Sequence, residues 1–395
     1  MSERALAHVE QIVDIQPIEG ADKIEVATVL GWRVVVAKSD NFKVGDKIVY
    51  IEIDSKVPER PEFEFLRDRK FRVRTIKLRG QYSQGLIVPL SILDKGNYNV
   101  GDDVTQKLGV TYYVPEDNVR KAAKPPKHLR YQSMAARHKD LFKRQPFRWL
   151  MKREWGRSLL FVFFGKKKDK PKAFPTKFAF VHKTDQERCE NMPWVLKDKT
   201  PFIRTQKCDG SSGTFILERL KGKNKFEFYV CSRNVRMLND DQECFYGTDN
   251  FYWDVAKKYD IENKLRDFLM KNPGLDYVCW QGEICGPKIQ QNPHRLKDLH
   301  LYCFHMIDSA QGFYDIREAA KIWKNYNMEH VPIDDELYIL PDDFEEFKQS
   351  ADGNYDASVC EGSKDCRREG YVYYKSTDPN FSFKNVSRIY LAREK

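Results

Sequence analysis

Residues 205–212 read Thr-Gln-Lys-Cys-Asp-Gly-Ser-Ser and lie between two apolar, strand-like stretches. Side chains alternate along an extended chain, so Lys207 and Asp209 point to the same side. Gly210 permits a tight turn or a close approach of the backbone to a ligand. An amine, a carboxylate and a gap are the parts that a lysine needs to attack the α-phosphorus of a nucleotide. The same pattern also occurs in ordinary hairpins.

Five further motifs follow in the order found in the covalent nucleotidyltransferases. Lys207-x-Asp209-Gly210 resembles motif I of that group, which comprises the polynucleotide ligases and the mRNA capping enzymes. The others, which resemble motifs Ia, III, IIIa, IV and V, are Ser232-Arg233-Asn234, Gln281-Gly282-Glu283-Ile284-Cys285-Gly286, Tyr302-Cys303-Phe304-His305-Met306, Arg368-Glu369-Gly370-Tyr371-Val372 and Phe381-Ser382-Phe383-Lys384-Asn385. Six ordered matches are far more specific than any one of them.

Short apolar runs alternate with turn signals from Ala7 to about Val114, which indicates β-strands. Strand runs of this kind are Trp32–Val36, Lys47–Ile53, Arg72–Leu78 and Gln84–Leu90. About five or six short strands fit a small closed barrel, and we predict an OB-type β-barrel over residues 1–115. The runs at 17–22 and 44–46 resemble OB domains that bind RNA. A structural barrel without a ligand would show the same strand pattern.

The order of the two domains separates the branches of the group. Capping enzymes and most DNA ligases carry their OB domain after motif V, whereas only about ten residues follow Lys384 here. The order resembles the RNA ligases with an N-terminal OB domain, of the Naegleria and Deinococcus type, and so does the segment from Lys183 to Pro193. The resemblance implies an α+β fold class: an OB-type β-barrel followed by a nucleotidyltransferase domain, ligase-type and ATP-grasp-like, over residues 174–395.

Residues 116–173 form a connector of distinct composition. Positions 120–172 hold 18 Lys and Arg residues against three acidic ones, so the net charge of +10 arises here. Basic groups that contact phosphates and rings that stack on bases would make a track for a single strand. Alternatively, the rings pack the connector onto the two domains while the lysines face water. A helix broken near Pro146 fits residues 134–155. The interleaved aromatic residues are Phe142, Phe147, Trp149, Trp155, Phe161, Phe163 and Phe164.

The remaining composition indicates an intracellular protein, cytoplasmic or nuclear. Nine cysteines occur from Cys189 onward, in a pattern that indicates no disulfide framework. The closest pairs lack the C-x-x-C spacing of a zinc site. The first residues contain no apolar signal core, and the longest apolar run, Leu159–Phe164, is far shorter than the ~20 residues of a bilayer span. We expect a monomer that has no membrane partner.

The resemblance implies a role for each motif residue. Lys207 would form a lysyl-AMP phosphoramidate, and its pKa of about 10.4 would be lowered by Lys384 and a divalent metal ion, Mg²⁺ or Mn²⁺. Asp209 and Glu369 would hold the metal through its waters, and Lys384 would stabilise charge on the α-phosphate. The remaining nucleotide contacts would be Glu283 to the ribose, Phe304 to adenine, Arg233 to a phosphate and Arg188 to the triphosphate or RNA.

Some of these side chains have a structural alternative. Phe304 could be a core residue, Glu283 a surface charge, and Arg233 a partner in a local ion pair. The eight histidines show no ligand spacing, so the sequence does not indicate a tight histidine metal site.

The chain departs from motif V of many ligases at Val386, where those enzymes have a second lysine. Arg388 or Lys375 could replace it. The predicted function is an ATP-dependent RNA ligase that joins RNA 3′-hydroxyl and 5′-phosphate ends through lysyl-AMP and RNA-adenylate. The enzyme alternatives are a capping-type guanylyltransferase and a DNA ligase. The non-enzyme alternative is an RNA-binding protein with a degenerate nucleotidyltransferase domain, which Val386 keeps open.

Overall fold

The computed structural model describes residues 5–113, 139–164, 172–181, 185–220, 225–238, 250–361 and 366–393. An N-terminal β unit and a larger C-terminal unit of mixed helices and strands lie on either side of a helical connector. The predicted boundary between residues 115 and 116 lies outside the described residues, as do positions 183 and 184 of the segment upstream of Lys207.

Short antiparallel strands build the N-terminal unit. They are β1 (Ala7–Pro17), β2 (Ile24–Val29), β3 (Trp32–Ala37), β4 (Lys47–Ile51), β5 (Ser55–Lys56), β6 (Arg72–Val73), β7 (Ile76–Leu78), β8 (Gln81–Ser83), β9 (Leu86–Pro89) and β10 (Thr111–Tyr112), with the helix α1 (Thr105–Leu108). The main sheet has the order β3-β2-β1-β4-β9 and a smaller one the order β10-β5-β6. The predicted strand Arg72–Leu78 is two strands, because its halves pair with different partners, β5 and β8.

Both faces of the main sheet are covered, because successive side chains of a strand point to opposite faces. In β4, Val49 and Ile51 pack into one apolar cluster, whereas Ile48 and Tyr50 pack into a second cluster on the other face. Leu391, near the end of the chain, packs against this second cluster. The C-terminal unit therefore contributes to the core of the N-terminal one.

Three short helices form the described part of the connector: α2 (Lys139–Phe142), α3 (Phe147–Met151) and α4 (Glu154–Phe164). The predicted break near Pro146 falls between α2 and α3. Phe142 and Leu160 are buried against each other and against neighbouring rings of the same helices. Trp149, Trp155 and Phe163 are instead 45%, 55% and 72% exposed. One set of rings therefore packs the connector internally, and a second set faces solvent.

Two sheets form the framework of the C-terminal unit. Its strands are β11 (Lys172–Ala173), β12 (Glu187–Arg188), β13 (Phe202–Lys207), β14 (Ser211–Leu220), β15 (Lys225–Ser232), β16 (Val235–Met237), β17 (Tyr277–Cys285), β18 (His300–Asp308), β19 (Gly312–Phe313), β20 (Ile333–Tyr338), β21 (Gly370–Lys375) and β22 (Asp378–Val386). One sheet has the order β11-β16-β15-β14-β17-β18-β19, and the other has the order β12-β22-β21-β13-β20.

The helices of this unit pack mainly against the larger sheet. They are α5 (Phe251–Lys258), α6 (Ile261–Lys271), α7 (Ile316–Asn325), α8 (Phe344–Gln349) and α9 (Arg388–Leu391). The single helix that the sequence indicates over residues 250–271 is two helices, because Asp260 adopts a left-handed conformation with φ of 50°. Apolar side chains of α5, α6 and α7 bury the face of the sheet that carries Trp280. Lys207 ends β13 of the smaller sheet, and β14 of the larger sheet begins at Ser211, so the candidate site around Lys207 lies where the two sheets meet.

The N-terminal unit docks on the smaller sheet through polar contacts. Among the hydrogen bonds across this interface are those from the Gly31 amide to the Glu190 carbonyl (2.8 Å), from Asn191 Nδ2 to Glu52 Oε1 (2.9 Å) and from Arg388 Nε to Gln84 Oε1 (3.0 Å). Gly31 is required at this point because a Cβ would collide with the Phe344 ring. These polar contacts accompany the apolar contact of Leu391 with the second cluster of the N-terminal unit.

One cysteine pair differs from the sequence expectation. Cys360 and Cys366 form a disulfide, although the cysteine pattern indicated no disulfide framework. Their Cα atoms are brought within 6.5 Å, a distance that disulfides permit and that spacing alone could not reveal. The other cysteines within the described ranges are free and buried. No helix in these ranges is long and apolar enough to cross a membrane.

Candidate active site

Lys207 is the last residue of β13 and faces a carboxylate from the neighbouring strand. The β13–β21 ladder pairs Lys207 with Gly370, which places Glu369 beside the lysine. Lys207 Nζ lies 2.8 Å from Glu369 Oε2. Both side chains are only partly exposed. The motif I lysine and the motif IV glutamate, 162 positions apart, are therefore one ion pair.

Glu283 reaches the same place from the other sheet. The β14–β17 ladder pairs Ser212 with Glu283, and Glu283 Oε1 accepts a hydrogen bond from the Gly210 amide at 3.0 Å. A Cβ on residue 210 would collide with the carbonyl oxygen of Ile284. Glycine is therefore needed here for a close approach between two strands, as the motif indicated.

The charges around Lys207 are unbalanced toward the negative. Burial alone would lower the pKa of Lys207, but Glu369 and Glu283 more than offset it and raise the pKa above its ordinary value. Burial also raises the pKa of Glu283 to about 8, and Glu369 and Asp209 add to this shift while Lys207 opposes it. The sequence led us to expect that Lys384 and a divalent metal ion would lower the lysine pKa; the carboxylates that face the ammonium act in the opposite direction.

Lys384 and Arg233 converge on one aspartate at the edge of the site. Lys384 Nζ lies 2.7 Å from Asp185 Oδ1, and Arg233 Nη2 lies 2.6 Å from Asp185 Oδ2. Burial lowers the pKa of Lys384 to about 8, although Asp185 acts in the other direction. Arg233 thus takes part in a local ion pair, the alternative that the sequence left open, while remaining 54% exposed.

Arg188 lies beside Lys384 and points toward the N-terminal unit. The parallel pair β12–β22 aligns Arg188 with Lys384, and Arg188 Nη2 lies 3.4 Å from Asp54 Oδ2. Its Nε and Nη1 atoms are buried and have no hydrogen-bond partner among the residues that the structure describes. Two donors of a buried guanidinium therefore remain available next to the motif V lysine.

The two suggested replacements for a second motif V lysine are engaged elsewhere. Arg388 bonds Gln84 of the N-terminal unit and Glu345. Lys375 lies 2.6 Å from Asp198. Val386 itself is buried in the chain's interior. Through these contacts, neither Arg388 nor Lys375 takes the place of a second lysine beside Lys384.

Phe304 lies on β18, the strand that pairs with β17. Its ring is half-buried and packs against an apolar cluster that includes Cys208 and Cys285, and it meets His305 edge-to-face at 5.0 Å. The position combines contact with the core and partial exposure. The buried part of the ring agrees with a core residue, and its exposed part agrees with a platform for a base.

Three residues near Lys207 carry contacts that sequence reasoning missed. His294 Nε2 accepts a hydrogen bond from the Asp209 amide at 3.1 Å. The Tyr355 hydroxyl donates to the Lys207 carbonyl at 2.9 Å, and the Tyr390 hydroxyl donates to Asp209 Oδ2. These residues lie outside the six motifs, and each reaches the site from a distant part of the chain. Only the upstream segment, which contains Asp185, carried any signal in the sequence.

The donor set near Lys207 fits a divalent cation that retains water. Within the described part of the chain, no group of three or more His, Cys, Asp or Glu side chains is arranged to hold a metal ion. Mg²⁺ is usually bound by one or two carboxylates, together with waters and substrate phosphates. Asp209 and Glu369 raise the pKa of the buried Glu283, so uncompensated negative charge is present where such a cation would bind.

A lysine held among carboxylates at the junction of two sheets, behind an N-terminal β unit, defines a covalent nucleotidyltransferase with an appended OB domain. Family comparison agrees in both regions: residues 6–90 match an OB-fold domain, and residues 200–387 match the RNA ligase family. Among curated proteins, none matches the sequence significantly.

Solved structures of Naegleria gruberi RNA ligase match nearly the whole chain. A mutant of that enzyme with AMP and Mn is 30% identical, with a TM-score of 0.72 and coverage of 98% of both chains. Another mutant, with ATP and Mn, is 29% identical, with a TM-score of 0.72 and coverage of 98% of both chains. The chain belongs to the RNA ligase family. The predicted fold class, enzyme class and RNA ligase function are confirmed, and the cofactor prediction of ATP with a divalent metal agrees with these complexes.

Proposed function

We propose that Lys207 is the nucleophile of an ATP-dependent RNA ligase reaction. The observation that carries the proposal is the placement of its amine, 2.8 Å from Glu369, in a half-buried site shared with Glu283 and Asp209. The neutral amine attacks the α-phosphorus of ATP, a P–N bond forms, and the bond to pyrophosphate breaks with its electron pair on the leaving oxygen. The attacking nitrogen then releases one of its two protons to solvent and keeps the other, and lysyl-AMP results.

Two further steps complete the proposed reaction. An RNA 5′-phosphate oxygen attacks the lysyl-AMP phosphorus, so that RNA-adenylate forms and the Lys207 nitrogen leaves. A 3′-hydroxyl then attacks the RNA 5′-phosphorus, and AMP departs as the phosphodiester forms. Because Lys207 is bonded only during the first two steps, its chemistry is separable from sealing.

Asp209 and Glu369 are the proposed metal-binding carboxylates. Each carboxylate already has a hydrogen-bond partner, Tyr390 for Asp209 and Lys207 for Glu369. A metal ion would share each carboxylate with that partner. A bound Mg²⁺ or Mn²⁺ supplies positive charge, which stabilises the anionic α-phosphate and offsets the carboxylates that raise the lysine pKa. Glu369, now the partner of the Lys207 ammonium, would then bind the metal ion together with Asp209.

Basic residues at the Asp185 edge are the proposed phosphate contacts. Lys384, whose side chain is 8% exposed, and Arg233, whose side chain is 54% exposed, already bind one anionic side chain. A phosphate presents more acceptor oxygens than a carboxylate and competes for both cations. Arg188 adds the two buried donors that have no partner within the described ranges, and we assign it to the triphosphate or the RNA.

Glu283 and Phe304 are the proposed contacts to the nucleoside. Glu283 holds the Gly210 amide with one oxygen, which leaves its other oxygen to accept a ribose hydroxyl. Phe304 is half-buried against the apolar cluster that includes Cys208 and Cys285, and its exposed part would stack on adenine.

The domain division of residues 1–115, 116–173 and 174–395 is part of the proposal, and so is RNA with 3′-hydroxyl and 5′-phosphate ends as the substrate. The OB domain and the connector would hold this RNA. An intracellular location and a monomeric state also stay predictions.

Labelling with α-labelled nucleotides tests the proposed function. We expect a covalent adduct with ATP and Mg²⁺ or Mn²⁺ that is acid-stable, and little or none with GTP. An adduct with GTP alone would indicate a capping-type guanylyltransferase. Efficient closure of an all-DNA nick in preference to RNA would indicate a DNA ligase. RNA binding without any adduct would contradict enzyme activity altogether.

Neutralising the connector should weaken RNA sealing without affecting adenylation. Replacing Arg148, Lys152 and Arg153 by glutamine removes phosphate contacts, and each lost contact to a single strand flattens the dependence of log K on log salt by about 0.7. The measurements are RNA binding at several salt concentrations and the rate of adduct formation. Lys321→Gln on α7, an exposed lysine, is the control. Equal loss of both activities would show that the connector is structural.

A further inference from the structure

Tyr355 joins the backbones of two proposed active-site residues. Its hydroxyl donates to the Lys207 carbonyl at 2.9 Å and accepts from the Glu369 amide at 3.2 Å. A phenol has one proton to donate, and here it is directed at the residue that carries the nucleophile. The side chain is buried, which raises the pKa of Tyr355 and keeps the hydroxyl protonated.

The hydroxyl acts where the β13–β21 ladder stops. The last pair of that ladder is Lys207 with Gly370, so Glu369 lies one residue beyond it. Without Tyr355, the Lys207 carbonyl and the Glu369 amide would lose the one bridge between them that the structure shows. The distance between the lysine amine and the glutamate carboxylate depends on this bridge, since each side chain starts from a bridged residue.

His294 supports both Tyr355 and Asp209. Its ring packs on the Tyr355 ring with centroids 4.3 Å apart. An amide can only donate, so His294 Nε2 accepts from Asp209 and the proton lies on Nδ1, which donates to the Val359 carbonyl at 2.8 Å. Burial lowers the pKa of His294 and favours this neutral form.

We propose that Tyr355 is a positioning residue for lysine adenylation, with His294 as its support. The Tyr355 hydroxyl sets the Lys207 amine against Glu369, and His294 fixes the tyrosine ring and the Asp209 backbone. Neither residue belongs to the six motifs. The inference rests on the proposed role of Lys207. It assigns to the loop that contains Tyr355 the function of positioning that lysine.

Tyr355→Phe tests the role of the hydroxyl while retaining the ring. Because a misplacement of about 1 Å can cost 10²-fold in rate, we expect kcat for adduct formation to fall by about 10- to 100-fold. The KM for ATP should change by less than about threefold, since no nucleotide contact is removed. Sealing of a pre-adenylated RNA should stay within about threefold of wild type, because this step does not use Lys207 as a nucleophile.

Tyr326→Phe is the matched control. Tyr326 lies outside the six motifs, and its hydroxyl donates to Asp267 Oδ2 at 2.7 Å. We expect it to form the adduct at the wild-type rate. His294→Gln, which keeps an acceptor for the Asp209 amide, should retain more adenylation than His294→Ala.

Two results would overturn the inference. One is a wild-type rate of adduct formation in Tyr355→Phe. The other is an equal loss of adduct formation and of sealing of pre-adenylated RNA, which would show a merely structural role. A wild-type enzyme that forms no adduct would instead contradict the proposed function itself, so the two failures are distinguishable.

Discussion

Lys207→Arg should eliminate the covalent adenylate while preserving the sealing of a pre-adenylated RNA. Arginine keeps a positive charge that can pair with Glu369, so the local charge balance changes little. Its guanidinium stays protonated at all accessible pH values and offers no nucleophilic lone pair. We expect adduct formation to fall by at least about 10³-fold, the scale on which loss of a covalent nucleophile acts.

The measurement compares two substrates with one variant. Adduct formation from α-labelled ATP reports the first step, and ligation of chemically adenylated RNA reports the last. Sealing should fall by less than about tenfold, since the carboxylates and Lys384 are unaltered. Lys199→Arg, an exposed lysine paired with Asp342, is the control and should behave as wild type. A labelled adduct on Lys207→Arg at the wild-type level would remove Lys207 from the mechanism.

The sequence was informative wherever function depends on a short local pattern. Lys207 with Asp209 and Gly210, and Glu369 before Gly370, are such patterns, and their order along the chain carried the resemblance to the nucleotidyltransferases. The strand run Lys47–Ile53 corresponds to β4 (Lys47–Ile51). Strand alternation and motif order together were sufficient for the fold class.

Contacts between distant residues could not be predicted in this way. Asp185 meets Lys384 across 199 positions, and Tyr355 meets Lys207 across 148. A lone tyrosine or aspartate has no distinctive neighbours in the sequence, so only the folded chain reveals its partner. The carboxylates that raise the lysine pKa were hidden for the same reason, since Glu283 and Glu369 converge on Lys207 from two different sheets.

Lys348 and Glu190 form a fully buried ion pair that connects the parts of the catalytic unit. Lys348 Nζ lies 2.7 Å from Glu190 Oε1, and both side chains are 0% exposed. The same ammonium donates to Asn385 Oδ1 at 2.8 Å and to the Val386 carbonyl at 3.0 Å. Since the Glu190 carbonyl also accepts from Gly31, this pair joins the motif V strand to the interface with the OB domain.

Lys348→Met should destabilise the protein by about 3–5 kcal/mol, the cost of leaving one charge of a buried pair without its partner. Methionine has similar length and no charge, so little volume is lost. The double variant Glu190→Gln with Lys348→Met should recover about 2 kcal/mol or more of that loss, because it no longer contains a buried unpaired carboxylate. Lys321→Met, on the exposed face of α7, serves as the control and should change stability by less than about 0.5 kcal/mol.

The pH dependence gives an independent check on the ion pair. Burial would raise the pKa of Glu190, but Lys348 and Arg188 lower it below its ordinary value. A carboxyl whose pKa is depressed in the folded state adds stability that is present above its unfolded pKa and is lost as the pH falls. The midpoints of urea unfolding for wild type and Lys348→Met should therefore differ most at pH 7 and converge as the pH falls below about 4.5. A constant difference across this range, or a loss under about 1 kcal/mol at pH 7, would mean that packing rather than charge pairing makes Lys348 important.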